Sequence, residues 1–293
     1  PALRTHPHVA VAAAADLNPT ARAQFTRDFE VPAYDNAEAL CASPEVDVVY
    51  IATPHQFHAG HCLLAAANGK HIVVEKPLAL TLADCDAIIA AVDRAGVTLI
   101  VGHTASYNPT VAAARGVIRS GELGRLRLIN FAAYTPFLYR PRRPEELDSE
   151  RGGGILFNQT PHQVDAARLL GGGLLKSVRA VAGVWDPGRR TEGACAALLQ
   201  FEDGAAASLV YSGYDHFDSL EFKVTTGDER SLSLATQGAT RRALNEGAGT
   251  PERETAMLAA MGYGGPGMRT GGPPGMFQVE LGLAIVSCER GDL

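Results

Sequence analysis

The chain has 293 residues, 46% of them apolar, and a formal charge of −6. That length and apolar share are enough for a buried core and about two domains, and they exclude a globally disordered chain. The lack of a basic excess argues against a nucleic-acid partner, and with no apolar run of about 20 residues no membrane-spanning helix is expected. Cys41, Cys62, Cys85, Cys195 and Cys288 are odd in number and form no C-x-x-C pair. Neither a disulfide framework nor a metal site is therefore expected, and a reducing cytoplasm is the setting implied. The first residues show no secretory pattern.

In chain order, an apolar run at 9–15 ends in Asp16 and leads through Asn18-Pro19 into a helix over 21–29. The β-branched run 46–52 reads as a buried strand, closed by Thr53-Pro54. A helix follows over 58–68, with Gly69 as its stop. A short strand at 72–74 runs into Glu75-Lys76-Pro77. The helix over 81–95 has Thr81 as its N-cap, Asp84 in the capping-box position and Gly96 at its end. A strand at 97–101 and a helix at 109–119 follow. Strands alternating with helices predict βαβ units, so 1–120 reads as a doubly wound parallel α/β domain.

From 121 the pattern changes. Strand-like segments at 126–134, 178–185, 194–201, 205–211 and 220–226 surround one helix at 159–170. Glu202-Asp203-Gly204 and Gly227-Asp228 are hairpin connections. Residues 121–293 therefore read as an α+β domain with a large, open, mostly antiparallel sheet. Within it, 236–277 is rich in glycine and proline and reads as a long irregular loop or lid. Strands 194–201 and 205–211 are apolar on both faces with few helices to cover them, which predicts a homodimer or homotetramer closing on the open sheet.

Chemistry-bearing residues cluster at the strand ends. Ligands of open α/β sheets bind outside the carboxyl ends of the strands. That places Lys76 and Glu75 at the expected crevice, and Asp16 where a carboxylate can bond a ribose diol or simply cap a helix. Thr53, Pro54 and His58 follow the next strand, where a histidine can contact a ligand or cap. In Gly152-Gly153-Gly154 the glycines allow close backbone approach. Asn158 and His162, four apart, would share one helix face, and a histidine exchanges protons near neutral pH. Arg140, Arg142 and Arg143 lie in a proline-spaced loop, either solvated or holding a carboxylate.

Taken together, Ala-Asp-Leu-Asn-Pro (15–19), Tyr-Ile-Ala-Thr-Pro-x-x-x-His (50–58), Gly-Lys-His-Ile-Val-Val-Glu-Lys-Pro-Leu (69–78) and the triple glycine with His162 and Asp165 resemble the Gfo/Idh/MocA family of nicotinamide-dependent oxidoreductases. The resemblance covers about 1–230. It implies a Rossmann-type first domain, NAD rather than NADP as cofactor, and a small-molecule substrate bracketed by Lys76 and His162. Asp16, Thr53, Pro54, His58, Glu75 and Lys76 would line the cofactor. Family members open on a strand and a Gly-x-Gly-x-x-Gly loop, whereas this sequence opens at Pro1-Ala2-Leu3, like the helix that follows that loop. The first domain is thus expected to lack that strand and loop, and the second to be incomplete at its carboxyl end. Asn158 stands where many members carry aspartate, and 102–109 departs from the arginine-phenylalanine pair of many relatives.

The run from Gly152 to Asp165, the 139–147 loop and the late Ile-Val-Ser-Cys-Glu-Arg look like the family's cis-dihydrodiol dehydrogenase branch. The function implied is hydride transfer between a CH–OH group, of a cis-dihydrodiol carboxylate or a sugar or polyol, and nicotinamide. Lys76 would take the hydroxyl proton, His162 relay it and Asn158 orient the oxygen, with side-chain nitrogens of Lys76 and His162 within about 10 Å. Two other readings remain at this point: an NAD-dependent glycosidase on the same fold, and a non-catalytic dinucleotide or metabolite sensor.

Overall fold

A computed structural model describes residues 6–171, 173–219, 242, 244, 246, 249–267 and 282–293. The chain divides into two compact units, Pro1–Gly102 with Ala256–Pro273, and His103–Thr255 with Pro274–Leu293. The division follows the last parallel strand directly, so the helix expected over 109–119 belongs to the second unit.

In the first unit, β1 (Ala14–Ala15) and β2 (Ala33–Tyr34) pair in parallel around α1 (Pro19–Phe29). After α2 (Ala37–Ala42) come β3 (Val48–Ile51), α3 (His58–Ala67), β4 (His71–Glu75), α4 (Leu82–Ala95) and β5 (Leu99–Gly102), with a parallel sheet in the order β3-β4-β5. The end signals act as their chemistry dictates. Thr81 Oγ1 accepts from the Asp84 N–H at 3.0 Å and donates to its carboxylate at 2.7 Å. Gly69 and Gly96 close α3 and α4 at φ of 68° and 65°, where a Cβ would be strained.

The core is aliphatic: Val49, Ile51, Ile72, Val74, Ile88 and Val92 with Cys62 and Ala65. Each large side chain withdrawn from water contributes about 1.5–3 kcal/mol. β3 differs from the doubly buried strand expected, because Val48 and Tyr50 are 51% and 57% exposed. It flanks β4 on one side alone and buries only Val49 and Ile51, so it alternates as a half-covered strand does.

Burial pushes the Cys62 thiol up to about 12 from its ordinary 9.0, and the Tyr211 phenol up to about 12 from 10.0. Well below pH 9 both states keep these protons, and the two groups add no pH dependence to stability. Between 9 and 12 the unfolded chain releases protons that the folded chain retains, so stability falls. The urea midpoint is expected to decline from about pH 9 upward, and Cys62→Ala to shallow that decline. A midpoint flat to pH 11 would contradict it.

The second unit contains α5 (Pro109–Ser120), β6 (Leu126–Tyr134), α6 (Gly154–Asn158), α7 (Thr160–Gly171), β7 (Leu175–Gly183), β8 (Ala194–Phe201), β9 (Ala206–Ser212), β10 (Leu283–Cys288) and β11 (Gly291–Asp292). Its sheet runs β11-β10-β6-β9-β8-β7, antiparallel except for the β6–β9 pair. Glu202-Asp203-Gly204 makes the β8–β9 hairpin, with Gly204 at φ 91°. Val111 of α5 and Ala166, Ala167 and Leu170 of α7 pack on Ile129, Phe131, Phe201 and Leu209 of the sheet. A Cβ on Gly171 would lie 2.7 Å from the Phe201 ring, so glycine sets this close helix–sheet approach.

The other sheet face exposes Leu128, Val181, Leu198 and Ile285. The expected loop over 236–277 needs correction, because α8 (Pro251–Met261) lies inside it. The strand at 220–226 and the turn Gly227-Asp228 lie outside the described residues. No helix among the described residues is long and apolar enough to cross a membrane.

Candidate active site

In the first unit the predicted residues gather at the carboxyl ends of β1, β3 and β4. Asp16 follows β1 and is exposed; one carboxylate oxygen accepts from the Asn18 N–H at 2.7 Å. The sequence shows no arginine beside it, yet one turn of α1 brings Arg22 back, its guanidinium donating to the Asp16 carbonyl at 2.7 Å.

Glu75 ends β4, and its carboxylate accepts from the Tyr50 hydroxyl of β3. Tyr50 and Glu75 share one face because Tyr50 stands opposite Val73, two residues before Glu75. Partial desolvation of this half-exposed ring, with the Glu75 carboxylate beside it, pushes the Tyr50 phenol up to about 12. Lys76 is half-buried and joined to Pro77 by a cis peptide bond.

His58 occupies a different place from the cofactor contact expected of it. It opens α3 fully buried, with Nδ1 2.7 Å from the Pro77 carbonyl and Nε2 2.8 Å from the Thr53 carbonyl. Both ring nitrogens are spent on the backbone, so no polar atom remains for a cofactor. Thr53 is also held through its side chain, Oγ1 lying 3.0 Å from His61 Nδ1. Burial, reinforced by His58, lowers the His61 pKa.

In the second unit the triple glycine forms a tight loop. A Cβ on Gly153 would fall 2.6 Å from the Glu146 carbonyl, and Gly154, at φ 74°, lies against the buried Glu192 carboxylate. Glu192 accepts from the Leu156 N–H at 3.2 Å and from the Ser149 hydroxyl.

The single helix expected to carry Asn158 and His162 is in fact two. Gln159 breaks the helical path at φ −119°, leaving Asn158 at the end of α6 and His162 in the first turn of α7. Asn158 Nδ2 donates to the carbonyls of Gly152 (3.3 Å) and Gly154 (2.8 Å). The Nδ2 amide group thus staples the loop, a structural task beside the substrate-orienting one expected of Asn158. His162 is half-buried, its Nδ1 inside the protein and its N–H bonded to the Gln159 carbonyl at 3.1 Å. One turn on, Asp165 accepts from the Ser106 hydroxyl.

The three arginines separate. Arg142 stacks over the Phe137 ring at 3.9 Å, donates Nε to the Phe137 carbonyl and pairs with Glu146 at 3.3 Å. Arg143 pairs with Glu146 at 3.4 Å. The Arg142 guanidinium is enclosed by these contacts, which corrects the substrate reading for it, whereas Arg143 is paired through Nε alone and stays exposed. Arg140 is exposed, and among the described residues its guanidinium donates to no partner.

Unforeseen from sequence is a buried pair nearby, Arg189 bonded twice to Glu254 at 2.9 and 3.0 Å, with Glu254 also accepting from the Arg142 N–H at 2.8 Å. They line a cavity of about 320 Å³ with Tyr139 and Asp186.

An α/β unit with parallel strands and an acidic residue past β1 is the arrangement in which open sheets bind dinucleotides beyond their strand ends. Residues 1–103 match the model for the oxidoreductase family with an NAD-binding Rossmann fold, and 111–232 match the Gfo/Idh/MocA C-terminal domain. The 1-carboxy-3-chloro-3,4-dihydroxycyclohexa-1,5-diene dehydrogenase of Comamonas testosteroni is 43% identical over 97% of this chain and 72% of its own. A crystal structure from Bordetella bronchiseptica RB50 superposes with a TM-score of 0.88 at 41% identity, over 99% of this chain and 75% of that one. The WlbA dehydrogenase of Bordetella pertussis, in complex with NADH and UDP-GlcNAcA, gives 0.65 at 26% identity, over 75% and 64%. Seven further curated relatives are spanned over 40–63% of their length. The chain belongs to the Gfo/Idh/MocA family of oxidoreductases.

The residues present fit an NAD adenosine half: Asp16 offers an exposed carboxylate beyond β1, as a ribose diol requires.

Proposed function

We propose that the protein is a dehydrogenase oxidising the CH–OH group of a cis-dihydrodiol carboxylate, with NAD as acceptor. The observation that carries this is the anchored Glu75-Lys76-Pro77 turn at the carboxyl end of β4, in a chain 43% identical to a dehydrogenase of a carboxylated dihydroxycyclohexadiene. Bound NAD supplies the hydride acceptor. Lys76 takes or polarises the hydroxyl proton as the carbinol becomes a ketone, and His162 is a second proton-exchanging group for the reaction. The ketone then enolises to a catechol, which makes the step one-way. Arg140, with its guanidinium exposed, holds the substrate carboxylate.

The test follows NADH formation with a cis-3,4-dihydroxycyclohexa-1,5-diene-1-carboxylate. NADH and a catechol formed in equal amounts are expected. NADH binding without turnover, or sugar release from an aryl glycoside with no net NADH, would overturn the reading.

Cofactor preference rests on Asp16, whose carboxylate accepts the ribose diol and repels a 2′-phosphate. Asp16→Ala is expected to weaken NAD binding by about tenfold or more, the scale of one charged hydrogen bond. It should leave NADP binding no weaker, because Arg22 remains in place. Equal losses in fluorescence titrations would refute the assignment.

The open sheet face bearing Leu128, Val181, Leu198 and Ile285 is covered by a second copy of the chain in a dimer or tetramer. Sedimentation at micromolar concentration checks this: Leu198→Glu should shift the mass towards monomer, and a monomeric wild type would sink it.

A further inference from the structure

His58 is the one fully buried titratable side chain at the carboxyl ends of the described strands of the first unit, and the chemistry outlined above leaves it without a task. Two features show that its identity is not set by local folding. It opens α3, the end of a helix that favours anions over a ring able to carry positive charge. It also meets a backbone carbonyl at each ring nitrogen, Pro77 at Nδ1 and Thr53 at Nε2, so the ring bridges two segments that its own helix does not contain. Phenylalanine would fill the same volume but would leave both carbonyls unsatisfied.

The two carbonyls belong to different loops. Thr53 follows β3 and Pro77 follows β4, strands that pair in parallel through Ile51 and Val74. His58 therefore ties together two loops that leave adjacent strands side by side. Lys76 lies within one of them, with both its neighbours anchored: Glu75 by the Tyr50 hydroxyl and Pro77 by His58. A swing of the lysine backbone requires one of these bonds to break.

We propose that His58 is a positioning residue for Lys76, clamping the Thr53 and Pro77 carbonyls so that the lysine side chain leaves the sheet in one direction. The proposal rests on the reading of Lys76 as the proton-handling group. A misplacement of about 1 Å at such a group costs about 10²-fold in rate without a matching loss in binding.

The experiment compares wild type, His58→Phe and His58→Gln as holoenzymes. It reads the dissociation constant for NADH, kcat and KM for the dihydrodiol carboxylate, and the rate at which acetic anhydride acylates Lys76, followed by mass spectrometry. For His58→Phe the expectation is NADH affinity and KM within about threefold of wild type, kcat lower by about 10²-fold, and a Lys76 acylation rate altered at least about threefold. His58→Gln, which keeps amide hydrogens for the carbonyls, should recover about tenfold of the lost kcat.

Wild-type kcat and acylation in His58→Phe would overturn the proposal. So would NADH affinity and KM worsening in step with kcat, or a glutamine variant no better than phenylalanine. Should His58→Phe fail to fold, His58→Gln alone decides: a reduced kcat with altered Lys76 acylation supports the clamp, and wild-type values in both remove it. If wild type does not oxidise the dihydrodiol carboxylate, the proposed function falls, while the acylation rates still test the clamp.

Discussion

Lys76→Ala is expected to lower kcat by about 10²–10⁴, the range for removing a positioned acid or base, while the dissociation constant for NADH stays within about threefold. The lysine is half-buried at the end of β4 between two anchored residues, so removing its side chain leaves the Tyr50–Glu75 and His58–Pro77 bonds in place. His162→Ala should lose a similar factor. If both side chains handle the same proton, the double variant should be little worse than the poorer single one, because a broken relay cannot be broken twice. Losses that simply multiply would assign the two residues to separate steps, and a fully active double variant would remove both from the mechanism.

Glu254→Ala should be the most destabilising single change in the second unit, costing about 3–5 kcal/mol, because it leaves the Arg189 guanidinium buried without its counter-charge. Both partners are nearly sealed from water, at 6% and 2% exposure, so neither can turn to solvent. The same carboxylate holds the Arg142 N–H, so the alanine variant also frees the start of the 142–147 turn. The thermal midpoint should fall by roughly 6–15 °C at the usual slope for a chain of this size. The pair Arg189→Met with Glu254→Leu should recover most of that loss, since replacing a whole buried ion pair by apolar groups is often neutral. A midpoint within 2 °C of wild type in Glu254→Ala would show the pair to be hydrated.

Where a residue acts on its immediate neighbours, the sequence was legible. Thr81 with Asp84, Gly69, Gly96 and the Glu202-Asp203-Gly204 hairpin each produce the turn or cap their chemistry favours. Legibility failed where the deciding partner lies far along the chain. Nothing near His58 announces that Pro77 will take its Nδ1, and nothing near Arg189 points to Glu254. Glycine content over 236–277 concealed α8, because an average over a long window hides an eleven-residue helix with acidic residues in its first turn. Two local signals were passed over. Arg142 and Glu146 stand four apart and Arg143 and Glu146 three apart, a spacing at which opposite charges find each other, so an ion pair stood beside the solvated and carboxylate-holding readings of the arginines. Asn158 sits four residues after Gly154 and six after Gly152, whose carbonyls take its amide hydrogens, a local task for an amide there.

The parallel pairing of β6 with β9 at the middle of the second sheet has a consequence for how that unit assembles. β7, β8 and β9 are sequential antiparallel neighbours and can zip locally through a tight hairpin. β6 must instead wait for everything from 135 to 205 to be gathered in before its register with β9 can form, and β10 can add only to β6. Closing so long a span before any contact repays it is slow. Early in refolding, β9 therefore presents a bare, apolar, hydrogen-bonding edge to any neighbouring chain, and at high concentration the seam between β9 and β6 is where strands from two molecules would pair by mistake.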